Sequence, residues 1–168
     1  MRQEKSIKLV DSKGRELKVM IRDIELGWLA GIIDGEGCIT AGLKNRGRSN
    51  VSVGSVECRI TVQANSGAMI AKICNLLDIT DIGYALELNR KVKGGTRPAH
   101  RVVVRRKAEV MKLLSLITPH LVVKAAEAEL MMTYIARYPD SRNRFTSNAS
   151  NDEKASFIAE LREAKRSA

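Results

Sequence analysis

The chain has 168 residues with 29 Lys or Arg against 19 Asp or Glu, a formal net charge of +10 at pH 7 that is spread along the sequence. This length suits one domain whose core needs no disulfides or structural metal, and the charge favours an anionic partner, with nucleic acid first among the candidates. The Cys and His residues lack the spacing of a zinc site. No apolar run could span a membrane, and the N-terminus lacks the apolar core of a signal peptide. We therefore expect an intracellular, non-secreted protein, cytoplasmic or organellar, without a membrane partner.

A helix and a pair of strands come first in chain order. Asp23 is placed to cap a helix that runs to about residue 34, where Gly35 and Gly37 are expected to end it. Strands are predicted over 38–44 and 53–62, joined by a polar loop. The second strand alternates between apolar and polar residues, which predicts one buried and one polar face.

The same order then repeats. Apolar residues at helical spacing predict a helix over 69–77, which either Ser66 or Asn65 can cap. Strands over 82–91 and 100–105 form a second predicted hairpin, with a loop rich in Gly and Pro between them. The outward face of the last strand is expected to carry Arg101, Val103 and Arg105.

Helices are predicted for the rest of the chain. The first ends at Pro119, and the last is a basic helix that begins with a capping box formed by Ser150 and Glu153. The middle helix is expected to turn inward a face made of Val123, Ala126, Leu130 and Tyr134.

Glycines interrupt the first apolar helix in the stretch LGWLAGIIDGEGCIT, residues 26–40. At about 100° per residue they fall on one narrow stripe, which consists of Gly27, Gly31 and Gly35 and is flanked by Ala30 and Asp34. Interior glycine costs about 0.5 to 1 kcal/mol relative to alanine, so the stripe calls for a compensating contact. Close packing on another helix is one such contact; the alternative is that the glycines only fit the helix under its own sheet.

Two acids follow at the end of this helix. A carboxylate here meets the negative end of the helix dipole, which is unfavourable unless a cation is present. Glu36 therefore suits a hard divalent cation, and Mg²⁺ is commonly held by one or two carboxylates, water and phosphate oxygens. The alternative is a solvated turn, because Asp-Gly and Glu-Gly are ordinary turn dipeptides.

These residues resemble those of a known family. The segment LAGIIDGEG, residues 29–37, resembles the nine-residue motif of the LAGLIDADG homing endonucleases, and LITPHLVVKAAEAEL, residues 116–130, resembles a later family segment with a basic residue. The resemblance implies an α+β fold in a single domain, 1–168, with an αββαββα core, a twisted antiparallel DNA-binding sheet saddle and extra C-terminal helices. Residues 1–22 form an N-terminal extension and residues 140–168 a C-terminal tail and helix.

The resemblance also implies roles for single residues. Glu36 is the metal-binding carboxylate, assisted by the backbone carbonyl of Gly35; Mg²⁺ is the expected cofactor, and Mn²⁺ or Ca²⁺ can occupy such a site. Lys124 matches the family's active-site lysine, the alternative being an exposed lysine at a helix start. The family's active-site amide is either Gln63 on the polar strand face or Asn65, which is equally placed as a helix cap.

One copy of the motif is present, and single-motif members of the family are homodimers in which two such helices pack together. Asp34 is expected to be structural, on the helix-contact face. The expected dimer interface consists of Gly27, Ala30, Gly31, Asp34 and Gly35. The outward faces of the hairpins are expected to bind double-stranded DNA through Thr40, Lys44, Arg46, Arg48, Arg59, Thr61, Gln63, Glu87, Asn89, Lys91, Arg101 and Arg105.

The implied function is that of an intron-encoded homing endonuclease, which hydrolyses both strands of a long pseudo-palindromic DNA target with divalent metal ions. Two alternatives keep the same fold: an RNA maturase with intron RNA as its partner, and a non-catalytic DNA-binding regulator. Retention of Glu36 and Lys124 argues against the regulator. Nothing in the sequence separates the maturase from the nuclease.

Overall fold

The computed structural model describes residues 4–10, 16–44, 55–90, 98–139 and 149–167. The predicted order of helix, hairpin, helix, hairpin and further helices is confirmed. In chain order the elements are β1 (Glu4–Val10), β2 (Glu16–Arg22), α1 (Asp23–Glu36), β3 (Gly37–Lys44), β4 (Ser55–Ala64), α2 (Gly67–Ile79), β5 (Ala85–Arg90), β6 (Ala99–Val104), α3 (Lys107–Ile117), a 3₁₀ turn (Thr118–His120), α4 (Ala125–Arg137) and α5 (Asn151–Ser167).

Four strands form one antiparallel sheet in the order β3-β4-β6-β5. Along each strand, side chains alternate between two faces, and the apolar set from β3, β4 and β6 joins the helices in one core. The helices therefore cover one face of the sheet and leave the other face, called here the outward face, to polar side chains. This is the predicted α+β arrangement.

The N-terminal segment contains an element that the sequence did not predict. β1 and β2 pair antiparallel as a separate two-stranded hairpin, with Glu4 opposite Arg22 and Val10 opposite Glu16. β2 leads directly into α1, because Arg22 is the last residue of the strand and Asp23 is the first residue of the helix.

The predicted cap of α1 and the predicted role of Gly35 require correction. Asp23 lies inside the helix rather than capping it, and the Glu25 carboxylate accepts a hydrogen bond from the Arg22 amide at 3.2 Å. The helix continues through Gly35 to Glu36. Gly37 follows the helix as its C-cap, and only glycine fits there without a shift, because a Cβ at this position would lie 2.6 Å from the carbonyl oxygen of Ile33.

The buried face of α4 also differs from the prediction. Val123 precedes the helix and is 49% exposed, and Ala126 is exposed. Of the predicted inward residues Tyr134 is buried and Leu130 is half-buried, and the face that enters the core consists of Glu127, Ala128, Met131, Tyr134 and Ile135. The phase of the helix was hard to predict because alanine is compatible with either face, and because the buried set includes a glutamate.

The sheet differs from the predicted strands mainly at their ends. β4 extends to Ala64, β5 begins at Ala85 rather than at residue 82, and β6 ends at Val104. Val103 has the predicted outward direction, opposite Thr61 and Ala85, but is only 4% exposed because it lies in the middle of the sheet. None of the described helices is long and apolar enough to cross a membrane.

Two helix caps are settled by hydrogen bonds. The capping box of α5 is confirmed, since the Ser150 amide donates to Glu153 at 2.8 Å and the Glu153 amide donates to the Ser150 hydroxyl at 3.1 Å. For α2 the cap is Ser66, whose Oγ accepts from the Met69 amide at 3.3 Å. Asn65 therefore does not cap this helix.

Substitutions of Ser66 and Asn65 should have different effects on stability. Ser66→Ala removes the acceptor of the Met69 amide and should lower the free energy of unfolding by about 1 kcal/mol. Asn65→Ala is the matched control and should change it by less than roughly 0.5 kcal/mol. Urea denaturation of both variants provides the measurement, and equal losses would contradict the assignment of the cap.

Candidate active site

The end of α1 is tied to the segment before α4 by the side chain of Asp34. Its carboxylate accepts hydrogen bonds from the amide of Val122 at 2.7 Å and from the amide of Lys124 at 2.9 Å. Asp34 thus has a structural role within its own chain. Its predicted contact with a second subunit stays a prediction.

These hydrogen bonds lower the pKa of Asp34. Burial raises the pKa of its carboxyl group, but the amides of residues 122–124 and the charge of Lys124 together lower that pKa by more. The net pKa lies below the usual value of 3.8, so the carboxylate is ionised at neutral pH and keeps its amide partners.

Lys124 lies at the same end of α1. Its ammonium group donates a hydrogen bond to the backbone carbonyl oxygen of Asp34. The last turn of α1 contains no basic residue of its own, so Lys124 supplies the cation that the negative end of the helix dipole favours. The Lys124 ammonium group therefore binds the backbone of Asp34, which lies two residues before Glu36 in the chain. The alternative, an exposed lysine at a helix start, would place this group in solvent.

Glu36 and Gly35 are exposed at the end of α1. The Glu36 carboxylate makes no hydrogen bond or ion pair with any residue that the structure describes, whereas the carboxylate of Asp34 is occupied by amides. Within the described ranges, no group of three or more His, Cys, Asp or Glu side chains could hold a metal ion. Glu36 fits a Mg²⁺ site that phosphate oxygens, water or a second copy of the chain would complete.

Of the two candidate amides, Gln63 lies nearer to this helix end. Gly37 pairs with Val62, so the next residue of β4 is adjacent to the end of α1. Val62 is buried, and Gln63 consequently points to the outward face, where it is half-buried. Asn65 is exposed beyond the end of β4.

The glycine stripe is open on the side away from the core. Among the residues that the structure describes, a Cβ added at Gly27, Gly31 or Gly35 would meet no atom within 4 Å beyond its chain neighbours and the backbone of its own helix. Packing against the described part of the chain therefore does not require these glycines, which favours a contact with another molecule. Ala30 is different because it is 0% exposed in the core, so its predicted place in the dimer interface is wrong.

The outward face of the sheet carries charged side chains that are already paired. Arg101 and Glu87 face each other on β6 and β5 with 2.6 Å between Nη2 and Oε1, and Arg59 lies 2.5 Å from Glu57 on β4. A ligand of this face would have to compete with these carboxylates. The predicted DNA-binding residues that the structure places on this face are Thr40, Arg59, Thr61, Gln63, Glu87 and Arg101.

The remaining predicted DNA-binding residues lie at the ends of strands or outside the residues that the structure describes. Asn89 has a positive φ of 52° at a register shift of β5, and Arg105 is exposed just after β6. The backbone of Lys44 belongs to β3, but its side chain is outside the described part. Arg46, Arg48 and Lys91 lie outside the described residues.

Two charged residues near the site were not predicted. Glu127 in the first turn of α4 is 3% exposed, and Nζ of Lys165 on α5 lies 3.9 Å from its Oε2 atom. Helical periodicity gave Glu127 no reason to be buried. Lys165 lies in the C-terminal segment that the family resemblance does not cover, so no sequence signal connected it with the site.

Comparison with known proteins supports the fold. No protein-family description matches the sequence, and no curated protein is significantly similar to it. Among solved structures, the homing endonuclease I-CvuI in complex with its target is 21% identical, with 86% of this chain and 79% of that chain covered and a TM-score of 0.56.

Two further structures extend this similarity. The LAGLIDADG homing endonuclease I-GzeII in complex with its DNA target is 16% identical over 83% of this chain and 43% of that chain, with a TM-score of 0.54. The archaeal intron-encoded homing endonuclease I-Vdi141I, complexed with DNA, is 11% identical over 86% and 98%, with a TM-score of 0.50. The chain therefore has the fold of the LAGLIDADG homing endonucleases.

The contacts of Asp34 predict a pH-dependent contribution to stability. At neutral pH, Asp34→Asn should lower the free energy of unfolding by roughly 1 to 3 kcal/mol, because an amide offers an N–H group where a backbone amide needs an acceptor. The folded-state pKa is lowered, so this contribution is fully present above the unfolded value of 3.8 and is lost as pH falls through the lower folded value. Denaturation of wild type and variant should give a constant difference at neutral and mildly acidic pH that shrinks below about pH 4.

Proposed function

We propose that the protein is a homing endonuclease: a homodimer that binds a long pseudo-palindromic DNA duplex and hydrolyses both strands with divalent metal ions, Mg²⁺ by preference. The main support is the arrangement at the end of α1, where the exposed carboxylate of Glu36 lies two residues after the residue whose carbonyl oxygen accepts a hydrogen bond from the Lys124 ammonium group. The fold shared with DNA-bound homing endonucleases supports the proposal.

Each residue of the site has a distinct task in this proposal. Glu36, with the carbonyl oxygen of Gly35, would hold the metal, which when bound supplies Lewis acidity at the phosphate. Lys124 places a positive charge where negative charge develops on the phosphate oxygens. Gln63, on the outward face beside the helix end, can orient a water molecule through its side-chain amide.

The open glycine stripe supports a twofold assembly. A stripe without side chains lets two α1 helices approach closely, and each helix would then deliver its own Glu36 near the axis. Metal ions bound between two like-charged carboxylates would offset the repulsion between them. The chain covers most of I-CvuI but only 43% of I-GzeII, so a chain of the latter size has room for two such units.

The outward face supports recognition of DNA. A two-stranded ribbon fits the major groove, where arginine reads guanine, glutamine and asparagine read adenine, and a carboxylate accepts from cytosine. Arg101 and Glu87, which are both of a side-chain type that can contact bases, form an ion pair across neighbouring strands. Base contacts by either residue would separate the pair, so this contact should favour duplexes that satisfy both charges together.

Loss of the Glu36 charge should separate activity from stability. Glu36→Gln should abolish Mg²⁺-dependent cleavage of a cognate duplex while sequence-specific binding persists, because each dimer loses both metal-binding charges. Since a carboxylate opposes the helix dipole here, the free energy of unfolding should stay equal or rise by roughly a few tenths of a kcal/mol. Glu129→Gln, at an exposed position of α4, is the control and should cleave normally. Normal cleavage by Glu36→Gln at matched DNA occupancy would reduce the protein to a DNA-binding module.

The assembly has an independent test at Gly31. Gly31→Leu should raise the dimer dissociation constant at least about ten-fold, because a branched side chain enters a contact without space for it. The same substitution should not destabilise the monomer, since the position is open within the chain and leucine favours helix. Gly31→Ala should have a smaller effect on the dimer. A wild-type protein that sediments as a monomer, with and without DNA, would exclude the twofold arrangement.

A further inference from the structure

The last turn of α5 reaches the candidate active site. α5 packs on the rest of the protein through Phe157, Ile158 and Leu161, and the Phe157 ring stacks on Tyr134 of α4 with 4.0 Å between ring centroids. This packing brings Nζ of Lys165 within 3.4 Å of the Cys38 sulfur. Because Cys38 is the second residue after Glu36, the C-terminal helix ends beside the metal-binding end of α1.

The other neighbour of Lys165 is a buried carboxylate. Glu127 is 3% exposed, and its Oε2 atom accepts no hydrogen bond from any residue in the described part of the chain. The charged groups that act on it are Lys165 from α5, Lys124 from the segment before α4, and Asp34 from α1. Burial raises the pKa of Glu127, Lys165 and Lys124 counteract that shift, and Asp34 adds to it.

We propose that Lys165 is a positioning residue for the candidate active site: its ammonium group neutralises the buried Glu127 carboxylate, which leaves the Lys124 ammonium group on the carbonyl oxygen of Asp34 beside Glu36. This inference rests on the proposed nuclease function. In this proposal the C-terminal helix contributes to the reaction indirectly, because Lys165 acts through Glu127 and Lys124 and does not contact the reacting atoms.

Two groups compete for the Lys124 ammonium group: the backbone carbonyl oxygen of Asp34 and the Glu127 carboxylate. Lys124 and Glu127 are three residues apart at the start of α4, a spacing at which side chains on a helix can meet. A buried carboxylate without a cation is strongly unfavourable. If Lys165 lost its charge, Glu127 would attract Lys124, and the ammonium group would leave its place beside Glu36.

A double-mutant cycle tests this arrangement. Lys165→Met should reduce the single-turnover rate of Mg²⁺-dependent cleavage at matched DNA occupancy by about ten-fold or more. Glu127→Gln removes the competing charge, so the double variant Lys165→Met/Glu127→Gln should return to within about three-fold of the wild type. Lys165→Arg keeps the charge and should cleave close to the wild-type rate. A double variant that cleaves as slowly as Lys165→Met would overturn the proposal. So would a loss of DNA affinity in Lys165→Met that persists in the double variant, because it would indicate that Lys165 contacts a phosphate.

Two measurements without DNA keep the inference separate from the proposed function. The NMR signal of the Lys124 Cε methylene should shift in Lys165→Met and return toward its wild-type position in the double variant. Thermal unfolding should show the same restoration, because the buried charge has been removed. If wild type failed to cleave any duplex, the proposed function would fail while these readouts still tested the charge coupling. An unchanged Lys124 signal in Lys165→Met would overturn the inference itself.

Discussion

The geometry of the candidate site depends on one carboxylate that accepts two backbone hydrogen bonds. Asp34 binds the amides of Val122 and Lys124, and through them it joins α1 to the start of α4. The amides of residues 122–124 belong to no helix or strand, since this segment lies between a 3₁₀ turn and the first residue of α4. Without Asp34, its amides would need water, and Lys124 would lose the anchor that directs its ammonium group to the end of α1.

The two acids of the motif have different environments because of helical geometry. Residues two apart on a helix differ by about 200° in direction, so a side chain at position 36 points away when the side chain at position 34 faces α4. Asp34 is thus committed to the fold, and Glu36 faces solvent. The same spacing explains how a short motif can supply a structural acid and a free acid within one turn.

The sequence predicted the order of elements, the alternation of β4 and the change from helix to strand within residues 29–40, because each of these is a local pattern. The sequence did not predict the positions of side chains that depend on tertiary contacts. Asp34 finds its partners 88 and 90 residues away, Glu127 is buried against the hydrophobic pattern, and Ala30 enters the core although it lies next to a solvent-facing glycine. The β1–β2 hairpin was missed because it lies outside the segments that the family resemblance covers. Lys165 was missed for the same reason.

The direct junction between α1 and β3 fixes the distance between Glu36 and each residue of the strand. Glu36 is the last residue of the helix and Gly37 the first residue of the strand, so no loop separates Glu36 from the outward face of the sheet. A strand rises about 3.3 Å per residue, close to the rise of about 3.4 Å per base pair along a DNA strand. If the sheet reads DNA, each outward residue of β3 would therefore lie a set number of base pairs from the cleaved phosphate. Changing the bases that are read would require new side chains, whereas moving the cut relative to them would require a change of strand register.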